Sequence, residues 1–176
     1  MRSLINWLDD NVERVVILLN YAALAAIIFV EVIRRFVFSE QAAWSTTIPI
    51  YLFLWVVWMG CAYNVKTRSH LRFDELRTRL PYVAQMACLL LDAVLWIVFS
   101  AIVITYTSEQ VMIARENFSI VQGTDNVMQW WFYLATPIAF SLVVVRTLQN
   151  LNEDIAAYRA GAPLAVRSTA FQQDNA

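Results

Sequence analysis

The chain has 176 residues, 60% of them hydrophobic, 15% charged and 14% aromatic, with 3 Gly, 4 Pro, 2 Cys and 1 His. A soluble domain carries about 45–50% apolar and about 25% charged residues, so this composition excludes an ordinary soluble enzyme, a disordered chain and a disulfide scaffold. The formal charge of −1 supplies no basic field and argues against nucleic acid as a partner. So large an apolar fraction cannot be coated by polar residues in water, and the solvent must be lipid.

In chain order, residues 1–14 come first. Leu4, Trp7 and Leu8 share one helical face, which predicts a short interfacial helix. Asp9, Asp10 and Glu13 stand where a cleaved signal peptide would be basic, so no such peptide is expected. A spanning helix needs roughly 20 mainly apolar residues. Four stretches meet that need, at about 15–38, 48–65, 83–107 and 127–145. The expected fold is therefore an all-α membrane protein with four transmembrane helices and short interfacial amphipathic helices. The membrane domain covers residues 15–150, and 151–176 form a polar, flexible C-terminal segment. A barrel is excluded, because its strands alternate polar and apolar residues over short segments.

The first span holds Ala22 and Ala26, a small-xxx-small pair that permits close helix approach. Late in that span, Glu31 can pair with Arg34 at i,i+3 or Arg35 at i,i+4, leaving one guanidinium for a partner carboxylate or a lipid phosphate. The second span opens with Pro49 in its first turn, where a missing N–H costs little. Tyr51, Trp55 and Trp58 make a stripe on it that faces either lipid or another protein. The following loop, KTRSHLRFDELRTRLP, is the densest polar segment. Leu71, Leu76 and Leu80 can line a short helix ended by Pro81, with Glu75 paired to Arg79 and the arginines meeting anionic lipid.

Asp92 lies nine residues into the third span, about 14 Å at 1.5 Å per residue, too deep to snorkel. It is a proton or ion relay, an anchor to another helix, or a neutral hydrogen-bonded acid. A lone carboxylate makes a poor relay, which favours the latter two. Trp7, Trp44, Trp130 and Trp131 sit at span edges as belt anchors. Pro137 is the one proline deep in a span.

Orientation follows the cations. Arg2, Arg14, Lys66, Arg68, Arg72, Arg77, Arg79, Arg146, Arg159 and Arg167 fall on one side, against Arg34, Arg35 and Arg115 on the other. This puts both termini and the central loop in the cytoplasm and the loops at about 39–47 and 108–126 outside. Cys61 and Cys88 then lie near the reducing side, where two small buried apolar residues are expected rather than a disulfide.

Chemistry finds little material. His70 is the only histidine, so no bis-His haem site can be assembled. Neither a nucleophile–base pair nor a HExxH motif is present, nor a Gly-rich phosphate loop. No cofactor and no catalytic residue are expected. The spans also lack the Gly/Pro interruptions and internal repeats of a self-sufficient carrier.

Three segments together resemble the small membrane subunit of tripartite ATP-independent periplasmic (TRAP) transporters. They are EVIRRFVFSEQAAWS (31–45), GCAYNVKTRSHLRFDEL (60–76) and WWFYLATPIAFSLVVVRTL (130–148). The middle one, with His70, Arg72 and Asp74, is the most specific, and the resemblance spans most of residues 15–150. The family often carries an acidic pair after the Trp. Here Ser45, Thr46 and Thr47 follow Trp44, and these side chains can cap the second helix.

The resemblance implies a multi-pass protein of the bacterial inner membrane that does no chemistry itself. Its obligate partner is a large membrane subunit that carries substrate by an elevator-like motion coupled to sodium. A periplasmic binding protein delivers an organic acid, and the small subunit braces the large one's scaffold. The polar ending RSTAFQQDNA implies a separate rather than a fused subunit. The competing expectation is a self-contained oligomeric exporter or channel that uses Asp92 and Glu31.

Overall fold

A computed structural model describes residues 2–69 and 80–164, with side chains from Asn11 onward in the first segment. His70, Arg72 and Asp74, and with them the short helix expected in the central loop, lie outside the described residues, as does the tail from residue 165. The described chain is helical: α1 Arg2–Val37, α2 Thr47–Lys66, α3 Tyr82–Glu116, α4 Trp130–Tyr133 and α5 Ala135–Arg159. Four stretches are long and apolar enough to cross a membrane: Asn11–Val37, Thr47–Lys66, Tyr82–Glu116 and Trp130–Arg159.

Two helices overrun their expected ends. α1 has 36 residues, so the N-terminal segment continues the first span rather than forming a separate helix. No Gly or Pro interrupts the sequence there. At 1.5 Å per residue α1 is about 54 Å long, well beyond a hydrocarbon core of about 30 Å. α3 runs to Glu116, because Val111 and Ala114 extend its buried stripe past the polar residues at 108–110. The fourth span is broken at Leu134. Pro137 has no N–H for the Tyr133 carbonyl and its ring crowds that group, so the ladder lapses for one residue and then resumes.

Helix ends follow a shared device. Past α5, Gly161 takes φ +64 while the Ala162 N–H reaches the Ala157 carbonyl at 3.0 Å. Arg68 and Phe118 do the same after α2 and α3, at φ 53 and 48, with Ser69→Asn64 and Ser119→Ala114 bonds of 3.1 and 3.0 Å. All three are Schellman closures, natural for Gly and strained for the other two.

The helices lie in a row, α1–α2–α5–α3. α1 packs along α2, α2 along α5 and α5 along α3, while among the described residues α1 is not packed along α3 or α5. The layer is open rather than a closed bundle. Its core forms where α2 meets α5, from Ala62, Val65, Phe140 and Val143, with Trp58, Trp96 and Val103 packed around them. A second cluster joins α3 to the end of α5 through Met86, Leu89 and Leu164, under stacked Tyr82 and Tyr158 rings 5.0 Å apart. Cys61 is half-buried and Cys88 exposed, so only the first approaches the buried position expected of both.

Candidate functional site

α1 shows what the row leaves open. Glu13, Val16, Asn20, Leu24, Ile27, Glu31 and Arg34 recur at three- and four-residue steps and make its buried or half-buried stripe, while all the large residues between them except Ile17 are exposed. Ala22 and Ala26 are exposed too, outside that stripe. α1 is thus seated along a single seam, and the two ends of its Asn11–Val37 span are pinned by polar groups.

At the end carrying the N-terminus of α1, Arg146 of α5 donates to the Glu13 carboxylate at 2.6 Å, with both side chains almost fully buried. Lys66 of α2 stands 3.9 Å from the other Glu13 oxygen, and Arg146 also donates to the Gln149 side chain at 2.7 Å. A buried charge in this setting persists only when paired, which ties three helices at one point. Beside it, Arg68 bonds Asp154 at 2.6 Å, Glu153 at 3.1 Å and the Asn150 carbonyl at 3.0 Å. These three bonds hold Arg68 in its left-handed conformation. Asn150 donates to the Val65 carbonyl at the end of α2 at 2.8 Å, beside the Arg68 N–H that the same oxygen accepts at 3.2 Å. Arg14 bridges to the Tyr63 hydroxyl at 3.2 Å.

At the opposite end Glu31 accepts from Arg34 at 3.2 Å and from the Ala42 N–H at 3.3 Å, while Arg34 also stands 3.9 Å from Glu40. Of the two expected spacings the i,i+3 pair forms, and the carboxylate also fastens the loop after α1. Arg35 is exposed and makes no ion pair among the described residues. The expected Ser/Thr cap on α2 is absent. Thr46 takes a helical conformation unsuited to capping, makes no side-chain bond, and Ser45 instead donates to the Ala42 carbonyl at 2.7 Å. Gly123, at φ +82, presses against the Ala43–Trp44 backbone, where an added Cβ would lie 2.4 Å from Ala43 C. The loop carrying it folds on itself through an Ile120–Met128 bridge over buried Val121. Gln129 donates to the hydroxyls of Tyr51 and Tyr133 and so joins α2 to α4.

The aromatic residues divide by this geometry. Tyr51 stacks on Phe132 at 4.8 Å and Trp58 tilts against Phe140 at 5.2 Å, so the stripe on α2 turns inward at both ends, and Trp55 between them is half-buried. Trp44 is half-buried in the loop. Trp130 stacks on Trp131 at 4.1 Å and lies under the Arg115 guanidinium at 5.9 Å, with Trp131 itself exposed. Asp92 is half-buried and partnered. Pro137 is buried.

Glu13, Arg68, Arg146 and Asp154 form two ion pairs of 2.6 Å, yet the sequence offers Glu13, Arg68 and Arg146 only as charges that bear on a signal peptide or on orientation, and none of the four as a site residue. Glu13 and Arg146 are 133 positions apart. Their signal was topological: each is a charge at a span boundary, and antiparallel counting puts both boundaries at the same end.

Four apolar spans, pinned by ion pairs and leaving wide exposed faces, define a polytopic membrane protein built to pack. Among the described residues no group of His, Cys, Asp and Glu could hold a metal ion. Residues 24–157 match the family described as tripartite ATP-independent periplasmic transporters, DctQ component. The chain belongs to that family and is a TRAP transporter small membrane subunit of the multi-pass, inner-membrane kind. It is 23% identical over 157 residues to the isethionate TRAP transporter permease protein DctMQ of Oleidesulfovibrio alaskensis, a match over 85% of this chain and 24% of that protein. It is 26% identical over 152 residues to the sialic acid TRAP transporter small permease protein SiaQ of Vibrio cholerae, covering 86% and 83% respectively. The C4-dicarboxylate TRAP transporter small permease protein DctQ of Rhodobacter capsulatus is 31% identical over 106 residues, covering 60% of this chain and 46% of the relative.

Proposed function

We propose that this chain is a non-catalytic brace for the large, elevator-type membrane subunit of a sodium-coupled transporter, serving uptake of an organic acid handed over by a periplasmic binding protein. The observation that carries the reading is the open row of helices. None of the most apolar window of α1 is buried within the chain, against 39% for the span containing α5. A row so little covered by its own chain offers one face to a neighbour and leaves the rest to lipid.

The match to a quarter of DctMQ supports the large subunit as that neighbour, since its name joins a second component to the small one. Relatives named for sialic acid and C4-dicarboxylates support an organic acid as cargo. An elevator needs one part that stays still while another slides. Tryptophans at the span edges make tilting of this subunit costly. The cation asymmetry supports both termini and the Glu13–Arg146 end as cytoplasmic. The outward loops around Trp44 and Trp130, with exposed Arg35, are offered to the binding protein. In the competing exporter reading Glu31 would carry ions, but it is occupied by Arg34 and the Ala42 N–H.

The test is uptake by proteoliposomes under a sodium gradient, with binding protein and the large subunit, prepared with and without this chain. Uptake is expected only when this chain is present. Equal uptake without it would remove the bracing role.

A further inference from the structure

The central helix α5 is treated unequally around its circumference. Phe140 is covered by rings from both flanking helices, Trp58 at 5.2 Å and Phe99 at 5.7 Å, with Trp96 packed against Phe99 at 6.3 Å. On another side of the same helix Ile138, Ser141, Val145 and Leu148 stay exposed at steps of three, four and three residues. This side opens into a groove of about 720 Å³ walled by Met59 of α2 and by Ile104 and Ser108 of α3. One side of α5 is therefore sealed by the chain's own aromatics, and the other is a long, almost wholly apolar furrow.

We infer that the furrow seats a transmembrane helix of the large membrane subunit, an assignment that rests on the family reading above. Three features favour a helix as the occupant. The exposed residues of α5 keep the three–four spacing with which a helix meets another helix along a seam. From Ile138 to Leu148 the seam is about 15 Å long at 1.5 Å per residue, near half of a hydrocarbon core of about 30 Å. Its walls carry Ser108 and Ser141, small residues that let a second backbone come close where lipid tails offer no drive for packing. The exposed surface of α1 is built differently. Phe29 and Phe36 stand 66% and 80% exposed there, bulky side chains suited to acyl chains. The match to part of DctMQ supplies the partner, a second membrane component of the same assembly.

The experiment places a photoreactive benzophenone side chain at Ile138 or Val145 in the furrow, and at Phe29 or Leu95 as controls, in the chain co-expressed with its large subunit. Illumination of the purified complex is expected to link Ile138 and Val145 to the large subunit at least tenfold more than Phe29 or Leu95. A companion pair, Ser141→Trp and Leu95→Trp, is expected to lower complex yield about tenfold in the first case and leave it unchanged in the second, with the helical CD of each isolated variant as folding control. If the large subunit co-purifies yet the furrow positions label only phospholipid or a second copy of this chain, the inference is overturned while the family reading stands. If linkage forms from Phe29 and Leu95 alone, the inference is overturned in the same way. A wild-type chain that brings down no larger membrane protein overturns the partner reading, and the inference with it.

Discussion

α5 and α1 are both apolar enough to span a membrane, yet the chain holds them in opposite ways. α5 is gripped along its length. Its flanks meet α2 and α3, Phe140 sits under a roof of rings, and its last turns carry Arg146, Asn150 and Asp154 into ion pairs and a carbonyl cap. α1 packs along one neighbour on one stripe and is fastened near the two ends of its Asn11–Val37 span, by Glu13, which reaches α5 and α2, and by Glu31. The contrast separates two requirements. A membrane helix needs no packing to stay helical, because its backbone bonds are internal. It needs specific contacts to stay in place, because lipid is as apolar as its side chains.

The comparison can be broken most severely at the shared ion pair. Arg146→Met leaves buried Glu13 with only the more distant Lys66, at 3.9 Å, as a counter-charge and is expected to cost about 3 kcal/mol in thermal or denaturant unfolding in detergent. Adding Glu13→Gln should restore most of that loss. A cost under about 1 kcal/mol would mean that α1 is held by something else. Phe140→Ala should cost about 3 kcal/mol by the same measurement, since it empties the space beneath three rings. Gly123→Ala is next, at about 2 kcal/mol, because its Cβ drives into the Ala43–Trp44 backbone and the residue must also keep φ positive. Its specific mark is separation of the two loops, read as lost cross-linking between cysteines placed at residues 43 and 124. Phe29→Ala completes the series on α1 and should change the stability of the isolated chain by less than about 0.5 kcal/mol. A large effect there would show that α1 is packed within the chain after all.

The spans were legible because twenty-odd apolar residues in a row admit few other readings. Their ends were less so. Residues 1–14 looked separable, since acidic residues interrupt the hydropathy, but a helix ignores polarity where nothing breaks its backbone. The Glu31–Arg34 pair was readable from local spacing. The break at Leu134 departs from the uninterrupted spans expected, although Pro137 carries its cause, a missing N–H one turn after Tyr133. The inward turn of Tyr51 and Trp58 was not, because a periodic aromatic stripe does not say which neighbour it faces. The Thr46 cap failed for a conformational reason invisible in composition: the turn from Trp44 to Thr47 already satisfies the amides at the start of α2. Glu13 and Arg146 required the topology before they could be paired.

The central claim is that these helices hold a neighbour and move nothing themselves. Proteoliposomes containing this chain alone, loaded with or exposed to candidate organic acids under a sodium gradient, test it most directly. The account predicts flux no greater than in protein-free vesicles. Gradient-dependent movement of any solute through the lone chain, abolished by Asp92→Asn, would contradict it.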